Sequence, residues 1–215
     1  IYAGRIYEKY GSFAVEVMEQ NPYRLVREVD GIGFLVADNI AKGMGMDPCG
    51  RFRVSAALDF QLQKIALYGH CCIPDGQLVS DVEKGIGVPR DIVWEVMKQD
   101  LAEGLLAQES VGEDVLVYPD YLYRAERETA QRLLQIQREA MPVSARGRGK
   151  LVAKWERSTG ITLAEQQRQA VEAVLEHGLF VLTGGPGTGK TTVIRAMLDI
   201  LEQQGLEILL GALTG

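Results

Sequence analysis

At 215 residues the chain is long enough for one large domain or two to three small ones, and its 47% hydrophobic content supplies a core for each. The formal net charge of −6 excludes a surface coated throughout in positive potential, while leaving room for local contacts with nucleic acid. No apolar run approaches the roughly 20 residues that span a bilayer, and Ile1-Tyr2-Ala3-Gly4-Arg5 lacks the charged-then-apolar layout of a secretory signal, so the expected location is cytoplasmic. Cys49, Cys71 and Cys72 are odd in number and suggest no disulfide framework. His70 beside Cys71 and Cys72 has no second ligand pair at metal-site spacing, and no metal site is assigned there.

Residues 1–46 are helical in pattern. Ala3-x-x-Ile6 followed by Gly11 echoes Ala37-x-x-Ile40 followed by Gly43, which predicts two related helical hairpins, the first truncated. Asn21-Pro22 is a helix start, since Asn caps free N–H groups and Pro tolerates the first helical position. Leu25, Val26 and Val29 give that helix an apolar stripe. Asp30-Gly31-Ile32-Gly33 then breaks the pattern, with glycines that permit positive φ and close backbone approach, before a helix resumes from Phe34 to Ala41. The backbone N–H groups of Gly31, Ile32 and Gly33 are candidate contacts to a DNA phosphate; the alternative is a hairpin that only packs two helices.

From Phe52 to about Pro119 the order reads helix (Phe52–Tyr68), short helix (Gln77–Lys84), helix (Pro89–Glu103), then a small hairpin of Leu105–Glu109 and Val115–Tyr118 joined through Gly112. Three helices followed by a hairpin predict a winged-helix-like α+β region. Such a unit serves either DNA or a packing partner. Tyr121–Ala140 reads as one long polar-faced helix, and residues 141–149 have the Pro, Ser and Gly content of a linker, where the domain boundary is placed. Between Arg124 and Arg157 nine basic residues face four acidic ones, a patch suited either to phosphate or to a solvated helix and linker.

The last third carries the clearest chemistry. Leu179–Thr183 is a short, apolar, β-prone run, and Gly184-Gly185-Pro186-Gly187-Thr188-Gly189-Lys190-Thr191-Thr192 follows at once. This is the full P-loop pattern, Gly-x-x-x-x-Gly-Lys-Thr, placed between a strand and a helix. Its glycines let successive N–H groups turn towards a β-phosphate, and the next helix offers its positive end to the same charge. Lys190 is expected to bridge the β- and γ-phosphates of ATP and Thr191 to give its hydroxyl to Mg²⁺. The helix is expected over Thr192–Gln204, stopped by Gly205, and Glu207–Ala212 is expected to form the next buried strand. A parallel sheet of this kind needs more than two strands, so the rest of the motor is expected beyond Gly215.

Upstream, Leu163-Ala164-Glu165-Gln166-Gln167-Arg168-Gln169-Ala170-Val171 opens a helix that resembles the glutamine motif of superfamily 1 helicases, Leu-x-x-x-Gln-x-x-Ala-Val. With that P-loop and with Asp30-Gly31-Ile32-Gly33 inside Asn21–Ile40, the whole chain resembles the RecD-like superfamily 1 DNA helicases that carry a long N-terminal extension. The resemblance implies a multi-domain chain: an all-α helix-hairpin-helix region (1–50), a winged-helix-like domain (51–120), a long helix and basic linker (121–150), and the start of an α/β, RecA-like P-loop motor (151–215). It also implies that Gln167 reads the adenine edge, which an amide suits because it offers a donor and an acceptor. Ala212-Leu213-Thr214-Gly215 is similar to the opening of motif Ia, which places Thr214 and Gly215 on single-stranded DNA, although Leu213 stands where proline is usual. Expected activity is ATP-dependent, 5′ to 3′ translocation on single-stranded DNA, in repair or recombination. Two alternatives stay open: another DNA-linked P-loop ATPase, and a chain that binds DNA and nucleotide without turnover.

Overall fold

Among the described N-terminal helical segments, the turn after Asn21 is the one that starts at a side-chain cap. The computed structural model describes residues 2–140 and 143–212, which divide into two compact units, Ile1–Arg127 and Glu128–Gly215. In the first, helices α1 (Tyr2–Tyr10) and α2 (Ala14–Gln20) form one hairpin. The Asn21 side chain then accepts the Tyr23 N–H at 3.0 Å, and Pro22–Arg24 makes a single 3₁₀ turn into α3 (Leu25–Glu28). Gly31, at φ +81°, reverses the chain into α4 (Phe34–Gly43). Leu25, Val29, Ile32, Phe34, Ala37 and Ala41 are all buried along the inner face of this second hairpin. Gly33 differs from expectation: at φ −90° and ψ 175° it is extended backbone that any residue adopts, so only Gly31 uses glycine's freedom here.

Helix α5 (Arg51–Leu67) buries Val54, Ala57, Leu58 and Leu62, the i, i+3, i+4, i+8 stripe of a core-facing helix. It leads through a short strand β1 (Ile73–Pro74) to α6 (Asp75–Ile86) and α7 (Arg90–Ala102), then to β2 (Leu106–Val111) and β3 (Asp114–Pro119). The antiparallel sheet has order β1-β3-β2, with Ile73 opposite Val117 and Leu106 opposite Pro119. Val111 faces Asp114 across a two-residue turn whose first central residue, Gly112, sits at φ +64°. This helix-strand-helix-helix-hairpin order is that of a winged helix. The sequence pattern gave the three helices and the hairpin but not β1, which is two residues long.

A buried ion pair joins the two halves of this unit. Asp38 on α4 and Arg53 on α5 are 5% and 7% exposed. Arg53 donates from Nε and Nη2 to the two Asp38 oxygens at 2.7 and 3.3 Å, and from Nη1 to the carbonyls of Pro48 and Ile86 at 2.8 and 3.2 Å. Tyr23 Oη donates to Asp38 at 2.8 Å, and Lys42 lies 2.7 Å from its other oxygen. Burial by itself would raise the Asp38 pKa; the Arg53, Lys42 and Tyr23 hydrogen bonds outweigh it and hold the carboxyl at about 2. Burial, followed by the hydrogen bond to Asp38, pushes the Tyr23 phenol well above its ordinary value.

In the second unit, α8 (Asp120–Glu139), which begins in the first, buries none of its residues. Helices α9 (Ala145–Thr159), α10 (Glu165–Glu176) and α11 (Lys190–Gln203) enclose Val152, Trp155, Leu163, Val171, Leu175, Val193, Ala196, Met197 and Ile200. Two expectations are corrected here. Residues 145–149 are not linker but the first turns of α9, because Ser144 caps its Gly147 N–H and the burial of Val152 and Trp155 overrides the weak helix propensity of Gly147 and Gly149. Residues 179–183 and 207–212 form no strand: a parallel strand exists through ladder bonds to neighbours, and neither segment has such a partner among the described residues. No described helix is long and apolar enough to cross a membrane.

Asp38→Asn leaves Arg53 buried without its counter-charge and is expected to cost about 3–5 kcal/mol in urea unfolding at pH 7. Because the folded carboxyl sits below its unfolded value, its contribution is fully present above about pH 4 and is lost as pH falls towards 2. Wild type should lose stability across that interval, and the Asn variant should lack that part of the acid slope.

Candidate nucleotide-binding site

The loop from Gly184 to Gly189 is held by its own polar groups. Thr188 Oγ1 donates to the Gly185 carbonyl at 3.0 Å, while Gly187 and Gly189 take φ +76° and +79°, turning the backbone into the first residue of α11. That residue is Lys190, so α11 starts two residues before the expected Thr192. Val193, Ala196, Met197 and Ile200 anchor the helix on the unit's core at i, i+3, i+4, i+7. Lys190 folds back over the loop, its ammonium donating to the Gly184 and Gly185 carbonyls at 2.7 and 2.5 Å. Thr191 is exposed on the first turn of α11, with Thr192 beside it. A glycine-rich turn that ends at the N-terminus of a 14-residue helix, with one ammonium above it, favours an anion of phosphate type.

Helix α10 brings Gln167 to the same loop. Its Nε2 donates to the Thr188 carbonyl at 3.1 Å and its Oε1 accepts the Ala164 N–H at 3.0 Å, leaving one N–H and one lone pair for another partner. The helix is fixed by buried Val171 and Leu175 and by Glu156 on α9, whose two oxygens take the Leu163 N–H at 2.9 Å and the Arg168 guanidinium at 2.5 Å. Sequence reasoning missed a further anchor. Trp155, 1% exposed, donates from Nε1 to Asp199 on α11 at 2.8 Å, and its only signal in the sequence was a lone tryptophan inside a basic stretch.

The DNA-contact candidates Gly31, Ile32 and Gly33 belong to the other unit. Ile32 is buried and spends its N–H on the Val29 carbonyl at 3.2 Å, while the Gly33 carbonyl accepts the Val36 and Ala37 N–H groups of α4. Arg5 reaches across Gly31 to donate to the Asp30 carbonyl at 2.9 Å and stands where a Gly31 Cβ would be. Thr214 and Gly215 lie outside the described residues. No group of three or more His, Cys, Asp or Glu side chains suited to a metal ion occurs among the described residues.

Comparison with known proteins agrees with this division. The family model of the ATP-dependent RecD2 DNA helicase HHH domain matches residues 1–72, and an AAA domain model matches residues 167–215, from Gln167 through the loop. The ATP-dependent RecD2 DNA helicase of Deinococcus radiodurans is 29% identical over 228 residues, which cover 99% of this chain and 31% of that protein. The chain is RecD-like. The RecBCD enzyme subunit RecD of Mycobacterium tuberculosis is 35% identical over 92 residues, 43% of this chain and 15% of its own length. That of Mycolicibacterium smegmatis is 55% identical over 40 residues, 19% of the chain and 7% of that protein. The chain therefore spans about a third of the RecD2 relative and less of the others.

Two pairs of substitutions test the geometry. Gly189→Ala forces alanine into a left-handed conformation, at about 1–2 kcal/mol, and drives its Cβ into the Gln167 amide, so the melting temperature should fall. Gly185→Ala meets nothing within 4 Å and should leave it unchanged. In the first unit, Gly31→Ala should destabilise for the same backbone reason, whereas Gly33→Ala should melt as wild type. A folded Gly33→Ala protein that binds DNA normally would make the hairpin scaffold rather than contact.

Proposed function

We propose that this chain is the nucleotide-binding and DNA-engaging part of an ATP-dependent DNA helicase that moves 5′ to 3′ along single-stranded DNA in repair or recombination. The observation that carries this reading is the P-loop itself, formed at the N-terminus of α11 with Gln167 pinned against it, in a RecD-like chain. In the proposed assignment the loop residues Gly184, Gly185, Pro186, Gly187, Thr188 and Gly189 wrap the β-phosphate of ATP with backbone N–H groups. Lys190 exchanges its two loop carbonyls for the β- and γ-phosphate oxygens, so its present contacts hold the ammonium near the place where it works. Thr191 offers its hydroxyl to Mg²⁺, which when bound neutralises charge on the phosphates, and Thr192 supports the same turn. Gln167 keeps one N–H and one lone pair for the adenine edge, the complement of adenine's N6 and N7.

Hydrolysis also needs a carboxylate on the metal and an arginine at the transition state, roles that no residue of this chain is assigned. The chain by itself is therefore proposed to hold nucleotide without turnover.

In the intact gene product, Lys190→Ala should abolish DNA-stimulated ATP hydrolysis, a loss of at least about 100-fold given what one charged group contributes to phosphoryl transfer, while oligonucleotide affinity stays within about twofold. Phosphate release and fluorescence anisotropy on 5′- and 3′-tailed duplexes measure both quantities and the polarity. Normal turnover in the variant would remove Lys190 from the site.

A further inference from the structure

Helix α9 carries a stripe of cations that no acidic side chain among the described residues neutralises. Arg146, Lys150, Lys154 and Arg157 are all exposed, and at about 100° per residue they fall within an arc of roughly 80° on one side of the helix. The opposite side carries Val152 and Trp155, which are buried in the core behind the P-loop. None of the four forms an ion pair among the described residues. The one acid on the helix, Glu156, is committed to Arg168 and the Leu163 N–H, and Arg148 is paired with Glu176 at 3.2 Å.

Elsewhere the chain neutralises such rows. Arg24–Glu28, Asp38–Lys42, Asp120–Arg124 and Arg195–Asp199 are each opposite charges at i, i+4. On α9 the same spacing sets Arg146 against Lys150 and Lys150 against Lys154, like charges that cost about 0.2–0.5 kcal/mol per pair. Arg146 also lies in the first turn, where the helix dipole disfavours a cation, whereas Arg157 sits in the last turn, where it is favoured. An arrangement that works against its own helix in a chain of net charge −6 is relieved by a polyanion laid along it. From Arg146 to Arg157 the stripe runs roughly 16 Å at about 1.5 Å per residue, enough for several consecutive phosphates of a strand.

We propose that this face of α9 is a backbone-contacting track for single-stranded nucleic acid, sequence-independent and seated directly behind the nucleotide loop through Trp155 and Asp199. The proposal rests on the reading above that the protein engages DNA, and specifies which surface does so. Contacts of this kind set affinity and salt dependence rather than sequence choice.

The test is the quadruple variant Arg146→Gln, Lys150→Gln, Lys154→Gln, Arg157→Gln in the intact gene product, with fluorescent oligothymidylate as the probe and anisotropy read from 50 to 300 mM salt. Each phosphate contact on a single strand contributes about −0.7 to the slope of log K against log salt, so the slope should shrink by about 2 to 3 and low-salt affinity should fall at least about tenfold. The half variants Arg146→Gln/Lys150→Gln and Lys154→Gln/Arg157→Gln should each lose about half of that change, and Arg146→Lys/Arg157→Lys should keep the wild-type slope. Melting temperature should not fall, and should rise slightly in the quadruple variant as the like-charge pairs are removed, while DNA-free ATP hydrolysis should be unchanged in all of them. A wild-type slope in the folded quadruple variant overturns the track while leaving the helicase reading intact. Absence of oligothymidylate binding by the wild type overturns both. A reduced slope in a protein whose ATP hydrolysis ignores DNA supports the track and removes the motor reading.

Discussion

The first unit depends on a charge that has been taken out of water. Arg53 is desolvated together with Asp38, and its Nη1 donates to two carbonyls, that of Pro48 on one side and of Ile86 on the other. A buried pair of this kind adds little net stability compared with a well-packed apolar pair, but once it is present the surrounding backbone has no freedom to move away from it. Its four attachment points come from the helical hairpin, from the connection after α4, from α5 and from the end of α6. The pair therefore fixes where the hairpin stands on the winged helix, something a continuous apolar seam would leave able to slide. Tyr23 extends the same network to the 3₁₀ turn that Asn21 initiates, so local capping and tertiary placement meet at one carboxylate.

The second unit solves a related problem with different chemistry. Its functional element is a loop in which four of six residues are glycines, and the Thr188–Gly185 bond shapes the loop internally without fixing it to the unit. Position comes instead from three helices behind it. Trp155 holds α11 through Asp199, Glu156 holds α10 through Arg168 and the Leu163 N–H, and Gln167 on α10 then holds the loop at the Thr188 carbonyl. Two adjacent residues of α9 are thus the origin of both constraints. A shift of α9 along its axis would be felt at the C-terminal end of the P-loop by two routes, through α11 and through Gln167.

What the sequence made legible follows from the range over which each feature is determined. The helices were readable because an amphipathic period and a cap, such as Asn21 or the glycine after α7, are local properties, and the P-loop was readable because its glycine spacing is itself the structure. Strand β1 was not, because Ile73 and Pro74 become a strand only by pairing with Val117 and Leu116, more than forty residues away. Helix α9 was hidden by Gly147 and Gly149, whose local cost is outweighed by burial of Val152 and Trp155, a tertiary term that no window of sequence contains. The runs 179–183 and 207–212 show the reverse: apolar, β-prone composition is legible, but a strand also needs a neighbour, and Val181, Leu209 and Leu210 remain 76%, 90% and 78% exposed. For Gln167 the motif named the residue, and only the fold showed that half of its amide is already engaged.

Charge pairing separates two of the surfaces that the sequence offered for DNA. Around the Gly31 hairpin the cations are already answered: Arg24 is held by Glu28, Arg27 by Asp59 at 3.4 Å, Lys42 by Asp38, and Arg5 is turned inward onto the Asp30 carbonyl. A phosphate arriving there would have to displace internal partners, and the counterions it released would be few. On α9 none of the four exposed cations has an acidic partner to lose among the described residues, and only Arg157 makes an internal hydrogen bond, from Nε to the Ala153 carbonyl at 3.1 Å, so each phosphate that replaces a diffuse counterion contributes to the salt-dependent part of binding. The hairpin keeps its packing role whether or not DNA is present, since Ile32 and Phe34 are buried in it. In the proposed reading, the electrostatic part of DNA binding therefore falls to the unit that also carries the nucleotide loop, on the helix whose other face sets that loop's position.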